Sequence, residues 1–424
     1  MVKLMLALIV GLYIPIIDTI DMVIRIAYRY KFARQDKKTA AEQMAVEATQ
    51  KMIRPYKVLM SVHNLASHFD EFKNNLKPYG YENVLVIDDT STDHTAKLLK
   101  QEGIPYISNQ INWQKPASIL RGLRTLPPEI KTVIVIDPDA RLLNLNPKEY
   151  NKEISDFQEV LMDFQMSDYD ACAVRVLAEC RSTLEYLQNF EYKISMGLTK
   201  KSMGVNSIVS GAFAFFKKDY LEAILTRHSK SVYGEDYETT LRILSSGGRI
   251  HYDGRVTILT KQRATLFDLT RQRMGWDFSL LKINAHLPRQ LMSLPKKFYT
   301  WYQYIFYNIF LSVVLHPIRV ISITVLLACL ANFFDNIART HLIPDYAITN
   351  PGLFFLFYLF SLMVTYSLLF AVERRRRGRY AFILLLFPFY SLYMSLVPRT
   401  LGFLNYISIK TLGIKLVEDG YRYT

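Results

Sequence analysis

Residues Val133-Ile134-Val135-Ile136-Asp137-Pro138-Asp139-Ala140-Arg141 constrain this chain more than any other stretch. Four β-prone apolar residues run directly into two carboxylates separated by one residue. A short apolar run bounded by polar residues and proline is a strand buried on both faces, as in a parallel sheet. The two acids then sit at the carboxyl end of that strand, where open α/β sheets bind ligands. Carboxylates held this close repel each other unless a cation or hydrogen-bond donors compensate them, and a divalent metal carrying phosphate oxygens is one such cation. The same nine residues also suit a plain Asp-Pro turn.

The rest of the first 260 residues fits the sheet reading. Val58–Val62, Val84–Ile87, Tyr106–Ser108 and Thr132–Ile136 read as strands, with Phe69–Leu76, Thr95–Gln101 and Ala117–Leu126 as helices between them. Ala171–Val176 and Gly211–Phe216 are later strand candidates. Strands alternating with helices at this pitch predict an α/β fold with a doubly wound, mainly parallel sheet.

Apolar residues are unevenly spread over the 424 positions, making up 50% of the whole. Residues 31–290 have the mixed composition of a globular domain, whereas 298–408 are mostly apolar. Leu4–Ala27 is an apolar run interrupted by Asp18, Asp21 and Arg25, and Arg29, Lys31 and Arg34 follow it. That order favours a signal anchor entering the cytoplasm over a cleaved leader, with a surface-lying amphipathic helix as the alternative. Phe298–Phe334, Leu353–Val372 and Phe382–Val397 are further apolar segments. Arg374–Arg377 closes the second of these and is expected on the cytoplasmic side. The expected division is an anchor at 1–30, a cytoplasmic domain at 31–290, and interfacial and transmembrane helices at 291–424.

The net charge of +14 lies largely beside apolar segments, which points to membrane lipids. No basic stripe interleaved with aromatics is present, so nucleic acid is not an expected partner. Cys172, Cys180 and Cys329 are too scattered for a disulfide framework or a zinc site, and Cys172 and Cys329 read as buried small hydrophobes.

Three acidic clusters follow strands or loops of the α/β region: Asp88/Asp89, Asp137/Asp139 and Glu235/Asp236. Arg271-Gln272-Arg273-Met274-Gly275-Trp276 comes after them. In this order they resemble the family 2 glycosyltransferases, in particular the membrane-embedded branch of cellulose, chitin and hyaluronan synthases, over roughly residues 56 to 335.

The resemblance implies a GT-A-like domain between an N-terminal anchor and C-terminal transmembrane helices in the cell membrane. It also implies the site residues. Asp88 and Asp89 would hold the nucleobase end of a UDP-sugar, since carboxylates accept hydrogen bonds from a uracil N–H or a ribose hydroxyl. Capping of the next helix is the plainer role for them. Lys115 would neutralise diphosphate or order the nucleotide pocket. Asp139 would ligate Mg²⁺ or Mn²⁺, with Asp137 helping on ribose or the metal's waters.

Ser210 and Gly211 match a small-residue segment at the acceptor end, where ordinary strand packing is equally suitable. Asp236, with Glu235, matches the general-base motif, although Glu235, Asp236 and Glu238 also form an acidic helix N-terminus. Gln272 and Trp276 match residues that serve acceptor and diphosphate, and Arg271 or Arg273 would supply the charge of the motif's Arg. Two positions depart: Gly275 stands where the family has Arg, and Lys261 stands where an acid is common.

The implied function is inverting transfer that builds and exports a β-linked polysaccharide. Transfer of one sugar to a polyprenyl phosphate or another lipid acceptor is the close alternative. A catalytically quiet scaffold or channel subunit is a third reading. A dinucleotide oxidoreductase ranks last because no Gly-x-Gly-x-x-Gly follows a strand.

Overall fold

The computed structural model describes residues 52–143, 147–196, 209–229, 234–318 and 381–416, with a few isolated residues besides. The anchor segment Leu4–Ala27 and the apolar segment Leu353–Val372 lie almost wholly outside the described residues. So do Cys329, Tyr233 and the Arg374–Arg377 run.

The chain alternates β1 (Tyr56–Val62), α1 (Phe69–Leu76), β2 (Val84–Asp88), α2 (Thr95–Gln101), β3 (Tyr106–Ser108), α3 (Gln114–Thr125) and β4 (Thr132–Ile136). It continues through β5 (Arg141–Leu142), α4 (Pro147–Met166), β6 (Ala171–Ala178), α5 (Thr183–Ile194), β7 (Phe213–Lys217), α6 (Lys218–Thr226), α7 (Glu235–Ser245), β8 (Ile250–Thr260) and α8 (Leu266–His286). Then come α9 (Pro288–Met292), α10 (Phe298–Trp301), which runs into a π-helical stretch over Tyr302–Val314, and α11 (Ala381–Leu412).

Eight strands form one sheet in the order β3-β2-β1-β4-β7-β6-β8-β5. Period-two alternation assigns each strand's side chains to two faces. Val58, Met60, Val86 and Ile134 pack with Phe69 and Phe72 of α1 and with Phe157 and Phe164 of α4. Leu59, Ile87, Val133 and Val135 pack on the opposite face with Leu120 and Leu123 of α3, Leu221 of α6 and Leu241 of α7. Burial on both faces explains why β4 reads as an unbroken apolar run.

The sheet is mixed but mainly parallel, as expected: β6 and β8 pair in parallel, and β7 and β5 are the reversed strands. β1, β2, β3 and β4 run parallel. However, β7 is antiparallel to both β4 and β6, and β5 is antiparallel to β8. Phe213–Lys217 is almost wholly buried, so its composition matches that of a parallel strand and leaves its direction unmarked.

That direction matters for the site. Ile136 pairs with Phe213 and Thr132 with Lys217, so the start of β7 meets the end of β4. Reversal of this one strand brings Ser210 and Gly211 to Asp137; a parallel β7 would have delivered Lys217 there.

Among the described residues no helix is long and apolar enough to cross a membrane. The apolar segment Phe382–Val397 belongs to the longer helix α11, which lies along α8. Tyr393 bonds Thr270, and Phe278 meets Tyr406 at 6.0 Å between ring centroids.

Candidate active site

β2 delivers Asp88 and Asp89 to the carboxyl edge of the sheet, both buried. Asp88 accepts from the Ser91 N–H at 3.1 Å and from Ser108 Oγ at 3.3 Å. Asp89 accepts from Asn109 Nδ2 at 2.6 Å and from the backbone N–H groups of Trp113 and Gln114, each at 2.9 Å. It therefore anchors the start of α3. The capping role weighed for this pair at α2 belongs instead to Asp93, which accepts from the Thr95 N–H at 2.9 Å and the Ala66 N–H at 2.9 Å. Burial would raise the Asp93 carboxyl, but these bonds outweigh it and hold the group below its usual range.

By fixing α3, Asp89 also fixes Lys115 in its first turn. Lys115 Nζ lies 2.5 Å from Asp137 Oδ1, 2.8 Å from the Gly211 carbonyl oxygen and 3.4 Å from Glu235 Oε1. Burial would lower this ammonium's pKa, yet the carboxylates of Asp137, Glu235 and Asp236 raise it overall, so it stays charged. Four segments far apart in sequence thus meet at one cation.

Gly234 opens α7 with φ +68°, a left-handed turn that Gly makes without a Cβ penalty. The turn aims Glu235 and Asp236 back toward Gly211. The Gly211 N–H donates to Asp236 Oδ2 at 3.3 Å, while its carbonyl receives Lys115. A Cβ on Gly211 would stand 3.1 Å from Glu235 Oε1, so a larger residue would push that carboxylate aside by a few tenths of an ångström. Burial raises the Glu235 carboxyl to about 7; Lys115 opposes the rise, and the charges of Asp236 and Asp137 add to it. Lys115, Ser210, Gly211, Glu235 and Asp236 all line one cleft.

Asp139 lies at the turn after β4. Burial, then the neighbouring Asp137, push its carboxyl up to about 6, and the Lys261 N–H reaches its Oδ2 at 3.3 Å. Among the described residues no three acids, histidines or cysteines are grouped to hold a metal. The donor set nevertheless fits Mg²⁺ or Mn²⁺ brought in by a diphosphate. Such ions are held by one or two carboxylates, with phosphate and water oxygens completing the shell. Asp137 and Asp139 would be that carboxylate pair, and a cation there would offset the repulsion between them. The Lys261 side chain turns away to Glu71 Oε2 at 2.6 Å, so only its backbone serves the site.

Gln272, Arg273 and Trp276 lie on α8. Ser279 and Ile283 of the same helix press against Gly234, where a Cβ would come within 3.1 Å of either. Gln272 and Trp276 lie on the same stripe of α8 at helical spacing. Trp276 is 39% exposed, and Gln272 Oε1 is buried without a partner. Arg273 is buried and bonded to Glu191 at 3.0 Å. Gly275 is buried within α8.

Sequence reasoning passed over His63 and Asn64. His63 Nδ1 sits 2.8 Å from the Asp89 carbonyl oxygen, and Asn64 Oδ1 accepts from the Thr92 N–H at 2.8 Å. Asn64, Thr90 and Gln114 all have positive φ, which gathers strained backbone around Asp89. Asn64 after a strand is the one of these that composition could have flagged.

Residues 58–225 match the sequence model of Glycosyl transferase family 2. The match takes in Asp88, Asp89, Lys115, Asp137, Asp139, Ser210 and Gly211, and stops before Glu235. A comparison with curated proteins finds no match. Among solved structures, the mannosyltransferase PcManGT from Pyrobaculum calidifontis, in complex with GDP-Man and Mn²⁺, superposes with a TM-score of 0.50 at 14% identity, over 89% of this chain and 98% of that one. GalNAc-T7 with UDP, GalNAc and Mn²⁺ aligns with a TM-score of 0.35 at 9% identity, over 50% of this chain and 44% of that one. Residues 58–225 are thus similar in sequence to family 2 glycosyltransferases, and the fold as a whole is similar to that of PcManGT.

Proposed function

We propose that the protein is an inverting glycosyltransferase that draws on a nucleotide-activated sugar, with Asp236 as general base. The observation that carries this reading is the gathering of Lys115, Asp137, the Gly211 carbonyl, Glu235 and Asp236 around one point. In the reaction Asp236 removes the proton from an acceptor hydroxyl. That oxygen attacks the anomeric carbon, and the bond to the nucleoside diphosphate breaks on the opposite face. An α-linked donor therefore yields a β-linked product. Lys115 offsets the repulsion between Asp137 and Glu235 and holds both in place. When bound at Asp137 and Asp139, a divalent metal would supply positive charge to the leaving diphosphate.

UDP-sugar is the donor implied by the synthase resemblance. GDP-mannose joins it as a candidate because the PcManGT neighbour was solved with GDP-Man. We assign the protein to the cell membrane with its catalytic domain on the cytoplasmic side, extending and exporting a polysaccharide. The support is the apolar segments of the sequence, their flanking Arg and Lys residues, and the exposed apolar side chains Trp301, Phe310, Val314 and Ile318. Single transfer to a lipid-linked acceptor uses the same chemistry.

The test is incorporation from radiolabelled UDP- and GDP-sugars by full-length protein in detergent with Mn²⁺ or Mg²⁺. The expected result is transfer from one donor, lost on chelation and lowered about a hundred-fold or more in Asp236→Asn. Product size then separates polymer from lipid-linked monosaccharide. Absence of both nucleotide binding and transfer would replace this reading with a scaffold.

A further inference from the structure

Arg273 is one of two arginines that could replace the charge missing at Gly275, yet its guanidinium is committed elsewhere. Its Nη2 donates to Glu191 Oε2 at 3.0 Å, and its charge lies 4.0 Å from the centre of the Trp276 ring. The same Glu191 oxygen accepts the Tyr390 hydroxyl of α11 at 2.6 Å. Arg273 is 8% exposed and Tyr390 7%, whereas Trp276 keeps 39% of its surface open. A diphosphate binding this buried arginine would compete with Glu191, whose side chain is 37% exposed. The interaction instead resembles a bracket, with a carboxylate gripping a cation and the cation supporting an indole.

Helix α11 is fixed on both sides of this bracket. Tyr393 meets Thr270 Oγ1 at 2.9 Å nearly two turns before Trp276, and Arg399 Nε meets Asp277 Oδ1 at 3.1 Å just after it. Gly402 crosses α8 so closely that a Cβ would stand 2.9 Å from the Met274 carbonyl oxygen. Phe387 of α11 packs edge-on against Phe190 of α5 at 4.6 Å and lies 5.8 Å from Tyr390. The hydroxyl that completes the bracket therefore comes from a helix more than a hundred residues later than the indole it supports.

We propose that Glu191, Arg273 and Tyr390 are positioning residues that set the plane of Trp276, making the C-terminal helix part of the acceptor site. Trp276 belongs to the α8 stripe that reaches Gly234 and the base loop, so its tilt fixes how a pyranose face meets Asp236. This inference rests on the proposed glycosyltransferase reading, and it takes Trp276, which the synthase resemblance sets among the acceptor residues, as the platform for the acceptor sugar. It also takes Arg273 out of diphosphate binding.

The experiment uses full-length protein in detergent, with Trp113 and Trp301 changed to Phe so that Trp276 is the sole indole. Fluorescence anisotropy and acrylamide quenching report how firmly the ring is held. Methyl β-glycosides of glucose, galactose, mannose and N-acetylglucosamine serve as acceptor probes, and UDP and GDP with Mn²⁺ as donor probes. Tyr390→Phe, which deletes one oxygen, and Glu191→Gln should lower the anisotropy and increase quenching. They should weaken glycoside binding, or raise acceptor KM, roughly two- to thirty-fold, the range a cation–π contact spans. Nucleotide affinity should stay within about two-fold of the parent, since the bracket touches no donor residue.

Unchanged anisotropy in both variants overturns the bracket. So does a loss of nucleotide affinity equal to the loss of glycoside affinity, because Arg273 would then serve the diphosphate. Trp276→Ala separates the two levels. If this variant leaves acceptor KM unchanged, the platform reading itself fails; if it raises KM while Glu191→Gln and Tyr390→Phe do not, only the bracket falls.

Discussion

Glu235 is held among groups that pull its proton in opposite directions. Burial and the charges of Asp236 and Asp137 favour the neutral form, and Lys115 favours the carboxylate, with the balance raised from the ordinary 4.5 to about 7. A carboxyl raised on folding binds its proton more tightly in the native state than in the unfolded one. Its contribution to stability is complete below about pH 4.5 and is lost as pH climbs through about 7. Metal-free protein should therefore lose thermal stability over that interval. Glu235→Gln, which cannot titrate, should show a flatter curve. Scanning calorimetry of both proteins from acid to neutral pH checks this, and parallel curves would remove Glu235 from the balance.

At the scale of elements, α4 shows how a helix is held to the sheet. Phe157 stacks on Phe215 at 6.0 Å and meets Tyr79, Tyr56 and Phe213 edge-on at 5.4 to 6.5 Å. Phe157→Ala should cost about 3–5 kcal/mol through lost transfer and a cavity that several aromatic neighbours cannot close. Urea unfolding would show this as a lower midpoint with an unchanged slope.

Helices and strands whose apolar spacing was regular were legible beforehand. Phe69–Leu76, Thr95–Gln101 and Thr132–Ile136 form over the residues their patterns mark. The direction of β7 was not legible, because a strand buried on both faces carries no mark of which way its neighbour runs. Among site residues, the carboxylates stand out by type, and the structure gathers Asp137, Glu235 and Asp236 at Lys115. Nothing local, however, distinguishes Asp89 as an anchor for α3 or Glu191 as a partner for Arg273. Those roles are set by segments more than twenty and eighty residues away respectively.

Over the whole molecule, charge and apolar surface lie together. The chain carries +14, and Trp301, Phe310, Val314, Leu404, Ile407 and Leu412 expose apolar side chains along its C-terminal helices. An anionic membrane surface satisfies both features at once. Detergent-purified protein mixed with vesicles should co-sediment more with phosphatidylglycerol than with phosphatidylcholine. Salt should weaken this preference, since screening shortens the electrostatic reach to about 3 Å at 1 M, while leaving the apolar contribution in place. Equal binding to both lipids would argue against the electrostatic part.

The antiparallel β7 has a consequence during synthesis. Strands β1 to β4 are complete once residue 136 has been made, but their neighbour on the open side, Phe213–Lys217, follows some eighty residues later. At about 5–20 residues per second, the nascent chain leaves β4 with a bare edge for roughly 4–16 seconds. An unpaired, flat, apolar strand is a template for another chain. Polysomes crowded with this message would therefore be where the protein most needs a chaperone, well before Glu235 and Asp236 of the candidate site have been made.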